Sequence, residues 1–69
     1  MTYIEEKTYD KLNFQTAPLQ KGEYENCIFN NCDFSNADLS EIIFLDCEFS
    51  FINFLDIIGY IRTITSLFN

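Results

Sequence analysis

The chain contains no histidine and no tryptophan, only two glycines (Gly22 and Gly59), one proline, and four basic residues among 69. Without histidine there is no imidazole base, no zinc–histidine site and no Ser-His triad. Two glycines are too few to build a phosphate-cradling loop. Eleven acidic residues against four basic ones give a net charge of -7 and a pI near 4.1. The basic footprint that nucleic acid demands is therefore missing, and an anionic membrane surface is disfavoured for the same reason. No apolar run approaches the roughly 18 residues of a membrane-spanning helix. The opening Met1-Thr2-Tyr3-Ile4-Glu5-Glu6 has neither the basic nor the apolar region of a signal peptide, so the expected location is cytoplasmic. Three cysteines cannot all pair within one chain, in keeping with reduced thiols.

What is present points to a folded chain. Apolar residues make up 48% and aromatic residues 17%, too much for a disordered acidic tail. The length fits one small domain, whose core supplies only ~3–5 kcal/mol at this size. Charge is unevenly distributed. Between Gly22 and Asp56 there are eight acids and no Lys or Arg, whereas 57–69 carry no acid and one base, Arg62. The internal boundary falls between Asp56 and Ile57. Residues 1–8 read as a lead-in, 9–56 as the domain and 57–69 as an atypical apolar tail.

Every fifth residue from Ile4 is large and apolar: Ile4, Tyr9, Phe14, Leu19, Tyr24, Phe29, Phe34, Leu39, Phe44, Phe49 and Phe54. Two places before each, the residue is small over much of the chain: Ala17, Gly22, Cys27, Cys32, Ala37 and Cys47, with Ile42 and Ile52 as large exceptions. A helix brings i, i+3 and i+4 together and a strand i and i+2, so neither explains a period of five. A coiled path of four short sides does, with one circuit every 20 residues. Positions 20 apart then stack, and they match by type: Tyr9, Phe29 and Phe49; Phe14, Phe34 and Phe54; Ile4, Tyr24 and Phe44; Leu19 and Leu39. Ile42 and Ile52 are expected to swell or tilt the coil beside them.

Cys32-Asp33-Phe34-Ser35-Asn36 and Ala37-Asp38-Leu39-Ser40-Glu41 match the motif of the pentapeptide-repeat proteins, which the chain resembles most over 22–50. Cys47-Glu48-Phe49-Ser50-Phe51 matches closely, and Cys27-Ile28-Phe29-Asn30-Asn31 matches except at Ile28. The resemblance implies an all-β fold, a right-handed quadrilateral β-helix of about two to three coils. In the tail, Ile57, Ile61, Ile64 and Phe68 have helical spacing behind Asp56, a candidate N-cap, which would give a short C-terminal helix. The β-branched content of the same segment opposes a helix.

Cys27, Cys32 and Cys47 occupy the small column, where a compact hydrophobe serves packing. A zinc site would need four ligands, and a Cys27–Cys47 disulfide is compatible with their 20-residue spacing, but core packing is the leading reading. No catalytic residue, metal or cofactor is expected. The aromatic column lacks the basic groove of a base-stacking platform.

Two surface sets stand out. Asp33, Asp38, Glu41, Asp46, Glu48 and Asp56 form a candidate acidic interaction face. Ile43, Leu45, Phe51, Leu55, Ile57 and Ile61 form a candidate end-capping or dimer contact, through the tail folding over the open end or through end-to-end stacking of a second chain. The expected function is a non-catalytic protein-interaction module with an unidentified protein partner, without direct nucleic-acid or membrane binding. The resemblance also implies an alternative, a DNA mimic directed at a type II topoisomerase such as gyrase, which the short repeat region opposes. A third reading is a truncated member without independent function.

Overall fold

The computed structural model describes residues 2–59 and 62–63. Among these the fold is all-β, with seven short strands and no helix: β1 (Thr2–Glu5), β2 (Thr8–Asp10), β3 (Gly22–Glu25), β4 (Ile28–Asn30), β5 (Ile42–Leu45), β6 (Glu48–Ser50) and β7 (Arg62–Thr63). They form two parallel sheets, ordered β1-β3-β5-β7 and β2-β4-β6. Pairing runs at a constant offset: Ile4 lies beside Tyr24, Tyr24 beside Phe44, Tyr9 beside Phe29 and Phe29 beside Phe49. The chain therefore returns onto itself every 20 residues. Two further sides of each circuit are too tightly bent for strands and keep only single bridges, Asn13–Asp33–Asn53 and Asp38–Ile58.

The five-residue period has a backbone cause. The second residue after a large one takes a left-handed conformation at nine of the eleven positions, Glu6, Lys11, Asn26, Asn31, Asn36, Glu41, Asp46, Phe51 and Asp56, with φ between 53° and 62°; Thr16 and Lys21, after Phe14 and Leu19, are the exceptions. Each such residue turns the chain through a corner, and the N–H groups of Glu6, Lys11, Asn26, Asn31 and Asn36 bond to a carbonyl in the next circuit, Asn26 to Leu45 O at 2.9 Å and Asn31 to Ser50 O at 2.9 Å. Asparagine tolerates this region better than other non-glycine residues, which accounts for Asn at three corners.

The polar residue before the large one decides which sides bend. Asn13, Asp33, Asp38 and Asn53 each accept, through Oδ1, the N–H two residues on, at 2.8–3.0 Å. These Asx turns replace strand on the third and fourth sides. On the first and second sides the same place holds Tyr3, Glu23, Ile43, Thr8, Ile28 or Glu48, and strand forms.

Inside, the large residues stack in columns. Ring centroids lie 4.8 Å apart for Tyr9–Phe29, 5.1 Å for Phe29–Phe49, 4.7 Å for Phe14–Phe34 and 5.4 Å for Phe34–Phe54, with rings within 21° of parallel. Neighbouring columns meet edge to face, as Phe44 does with Phe49 at 5.0 Å and 87°. Both arrangements suit the ring quadrupole and add ~0.5–1.5 kcal/mol per pair beyond burial. Ile42 is accommodated because its partner beneath is Gly22. A Cβ on Gly22 would stand 2.2 Å from the Thr2 carbonyl oxygen, so the glycine is required there. In the adjoining Tyr24–Phe44 pair the rings are 5.8 Å apart and 35° from parallel, while the strands keep their register.

Three expectations need revision. Residues 1–8 include a strand: β1 is the first layer of the four-stranded sheet. The described part of 57–69 is not helical. Asp56 has φ 55°, a corner conformation incompatible with the extended backbone of an N-cap, Ile58 bridges Asp38, and Arg62–Thr63 extends the sheet. The β-branched content prevails over the helical spacing there; Ile61, Ile64 and Phe68 lie outside the described residues. The offset also shortens by one, since Ile43 pairs with Arg62 and Phe44 with Thr63.

Phe51 occupies a left-handed corner yet is 72% exposed, so its ring contributes little to packing. Phe51→Asn should therefore stabilise the fold by about 1 kcal/mol, read as a higher urea midpoint at unchanged slope. A lowered midpoint would mean that the Phe51 ring is buried in solution.

Candidate functional site

The six acids of the expected face are carried by different sides. Asp33 lies on the third side and Asp38 on the fourth, Glu48 on β6, and Glu41, Asp46 and Asp56 at three different corners. The five-residue period itself scatters them, because each successive repeat faces a new direction. They form no single face.

Asp33 and Asp38 are also committed to the backbone. Asp33 Oδ1 accepts Ser35 N–H at 2.8 Å, and Asp38 Oδ1 accepts Ser40 N–H at 3.0 Å and Ser40 Oγ–H at 2.6 Å. These hydrogen bonds from serine hold both carboxyls below the usual carboxylate range.

The sequence reading missed a second acidic set. Glu5, Glu23 and Glu25 lie on β1 and β3, where Glu5 and Glu25 are direct register partners. Tyr3 Oη, on the same sheet, donates to Glu25 and lies 3.5 Å from Glu5. The Glu25 bond pushes the Tyr3 hydroxyl up to about 12. The signal was available, since these glutamates flank Ile4 and Tyr24 in the five-residue series. By circuit, residues 1–21 hold three acids and three lysines, 22–41 five acids and no base, and 42–61 three acids and no base. Negative charge is thus concentrated in the second and third circuits, on all four sides.

One notch interrupts the wall. Pro18 stands where Asp38 and Ile58 stand in the circuits above. Among the described residues, no ladder bond joins 15–20 to 35–40. Lys21 Nζ fills in, donating to the carbonyls of Asp38 at 2.8 Å and Ser40 at 2.7 Å, and pairing with Asp38 Oδ1 at 3.4 Å. By the pattern elsewhere, those carbonyls would accept the main-chain N–H groups of Leu19 and Lys21. Beside this bridge lies a groove of about 340 Å³ against Phe14, Leu19, Lys21, Ala37 and Asp38. Its lysine is already engaged.

The apolar set is also dispersed. Ile43 and Leu45 are half-buried on β5, Phe51 and Leu55 are exposed, and Ile57 is half-buried against the core. Ile61 lies outside the described residues. Ile58, 58% exposed on the fourth side, belongs with them and was overlooked. β7 lies on β5, so Arg62 and Thr63 cover the first side of the third circuit.

The thiols are free and buried. Each Sγ lies in donating range of two carbonyls; Cys47 reaches Tyr24 O at 3.1 Å and Cys32 reaches Asn30 O at 3.3 Å. Burial pushes the Cys47 thiol up to about 11 and raises Cys32 as well. Such thiols are poor nucleophiles in the closed fold. Among the described residues, no three Cys, Asp or Glu are grouped to hold a metal ion, and no helix is long and apolar enough to cross a membrane.

No protein-family profile, curated protein or solved structure matches the chain.

The titrations give stability a defined pH dependence. The carboxyls of Asp33 and Asp38 have folded values below their unfolded ones. Their contribution is present above about pH 4 and is lost as pH falls through the folded values. Asn would keep the Asx acceptor without titrating, as Asn13 and Asn53 already do. Asp33→Asn with Asp38→Asn should flatten the acid limb of urea midpoints measured downward from about pH 5. Burial raises Tyr24 to about 12, so the wild-type chain should also lose stability as pH rises from about 10 towards that value. An acid limb unchanged by the double substitution would show that other carboxyls govern it.

Proposed function

We propose that the chain is a short right-handed quadrilateral β-helix of the pentapeptide-repeat type, acting in the cytoplasm as a non-catalytic, acidic protein-interaction module. The parallel pairing at 20-residue offset supports the coil, and the right-handed sense follows the general preference of parallel crossovers. The observation that carries the functional reading is the division between interior and exterior. The interior is occupied by stacked Tyr24, Phe29, Phe34, Phe44 and Phe49, and burial raises the Cys32 and Cys47 thiols. The remaining chemistry is outside: a rigid wall whose second and third circuits carry eight acids and no base. The matching partner is a protein with a basic surface, drawn in by long-range attraction that salt screens.

The test uses the acids that serve no structural bond. Immobilised chain and a Glu41→Gln, Asp46→Asn, Glu48→Gln, Asp56→Asn variant are compared for protein capture at low and high salt. The reading requires a captured species that is released by salt and lost with the variant. Equal capture by both chains would sink it.

A second reading, a DNA mimic binding a type II topoisomerase, is favoured by the spread of acids around every side, since a duplex is also anionic all round. The four stacked layers β1-β3-β5-β7 rise only ~14 Å at ~4.8 Å per step, the length of about four base pairs at ~3.4 Å each. Dose-dependent inhibition of gyrase supercoiling, abolished by the same four substitutions, is the expected result. An unaffected reaction at high micromolar chain would remove this reading and leave the first standing.

A further inference from the structure

We propose that Cys27 and Cys47 are a redox-responsive pair, which a low-molecular-weight disulfide converts into an internal disulfide tying the second circuit of the chain to the third. The inference rests on the 20-residue register alone and is independent of any binding partner.

The register fixes their placement. Glu25 pairs with Leu45 on one side of the two cysteines and Ile28 with Glu48 on the other. Glu48 N–H donates to Cys27 O at 2.9 Å. Cys47 therefore lies directly over Cys27 at the same corner, in the small-residue column. Stacked residues of a parallel ladder are ~4.8 Å apart. That falls inside the ~4.4–6.8 Å Cα separation that a disulfide spans. Both side chains are fully buried in the core cluster. Both also lean towards the circuit below, Cys27 Sγ to Ile4 O at 3.8 Å and Cys47 Sγ to Tyr24 O at 3.1 Å. The upper thiol thus points towards the circuit that holds the lower one, and the Cys27 thiol is among the groups that raise the Cys47 value. Cys32 differs. The same offset stacks it between Leu12 and Ile52, with no sulfur above or below.

The chemistry is thiol–disulfide exchange. One cysteine, as thiolate, attacks a sulfur of the small disulfide, forming a mixed disulfide and expelling one small thiolate. The second cysteine thiolate attacks the protein sulfur of that mixed disulfide and expels the other. Two protein thiols are oxidised, one small disulfide is reduced to two thiols, and the two protons lost by the cysteines are taken up by the leaving thiolates. Burial makes the closed fold slow to react, so exchange proceeds through loosening of the third circuit. Once formed, the bond closes a 20-residue loop and restrains that circuit.

The experiment incubates the full chain with oxidised glutathione at about pH 8, near the ordinary thiol range. The products are acid-quenched, and mass, free thiols and urea midpoint are measured. The expected product is a monomer lighter by two hydrogens, with one free thiol in place of three and a raised urea midpoint that dithiothreitol reverses. Cys32→Ala should still form it, leaving no free thiol, whereas Cys27→Ala and Cys47→Ala should not. Alanine fits the same column without adding a polar group, as Ala37 shows. The proposal is overturned by a bond that includes Cys32, by mixed or intermolecular disulfides as the end product, or by an internal bond that lowers the midpoint. Thiols that stay reduced in the native chain, while the urea-unfolded chain is oxidised, would overturn it equally.

Discussion

The parallel ladder between successive circuits is the interaction on which the rest of this structure depends. Backbone N–H and C=O groups cannot be left unpaired inside a wall, so each circuit must lie on the one before it at a fixed offset. Once that offset is 20 residues, the side chain at each position is forced over its counterpart. The interior becomes a set of columns, and a column is favourable only if its members pack flat. Phenylalanine and tyrosine rings do this at 4.7–5.4 Å, close to the spacing of the ladder itself. Backbone and core therefore select the same geometry, a mutual consistency that a small domain with little spare stability requires.

The places where the ladder fails are equally informative. Among the described residues, no ladder bond on the fourth side joins 15–20 to 35–40, and the Lys21 side chain supplies hydrogen bonds to the Asp38 and Ser40 carbonyls that would otherwise face the notch. Beyond Gly59 the offset shortens by one, which puts Thr63 beside Phe44 in place of the next member of the large series. At the other end, β1 and β2 have no strand beneath them among the described residues. The charged Glu5, Glu6, Lys7 and Lys11 crowd that edge, and charge on an open edge discourages pairing with other chains.

Much of this was legible in the residues. The period of five, the 20-residue circuit and the membership of each column follow from which positions are large. The core position of the three cysteines follows from the small column they share. The Asx turns were visible as Asn13, Asp33, Asp38 and Asn53, but the motif alone did not separate bent sides from strand sides. The candidate acidic face illustrates a different limit. Acids close in sequence point in different directions after each corner, while Glu5 and Glu25, far apart in sequence, become neighbours across the ladder. The proposed helix behind Asp56 failed because a spacing shared by helices was weighed without the corner conformation that Asp56 actually adopts.

The sequence by itself determined the repeat: one large residue in five, small or polar between, with negative charge and no base from Gly22 to Asp56. That information is local, and hydrophobic periodicity expresses it without reference to distant parts of the chain. Tertiary structure decided what depends on stacking one circuit on another. Gly22 under Ile42, Lys21 across to Asp38 and Ser40, Cys47 over Cys27, and acids spread around every side are consequences of the offset between circuits. No single pentapeptide contains that offset. It is set where backbone hydrogen bonding between circuits and ring stacking inside them agree on one register.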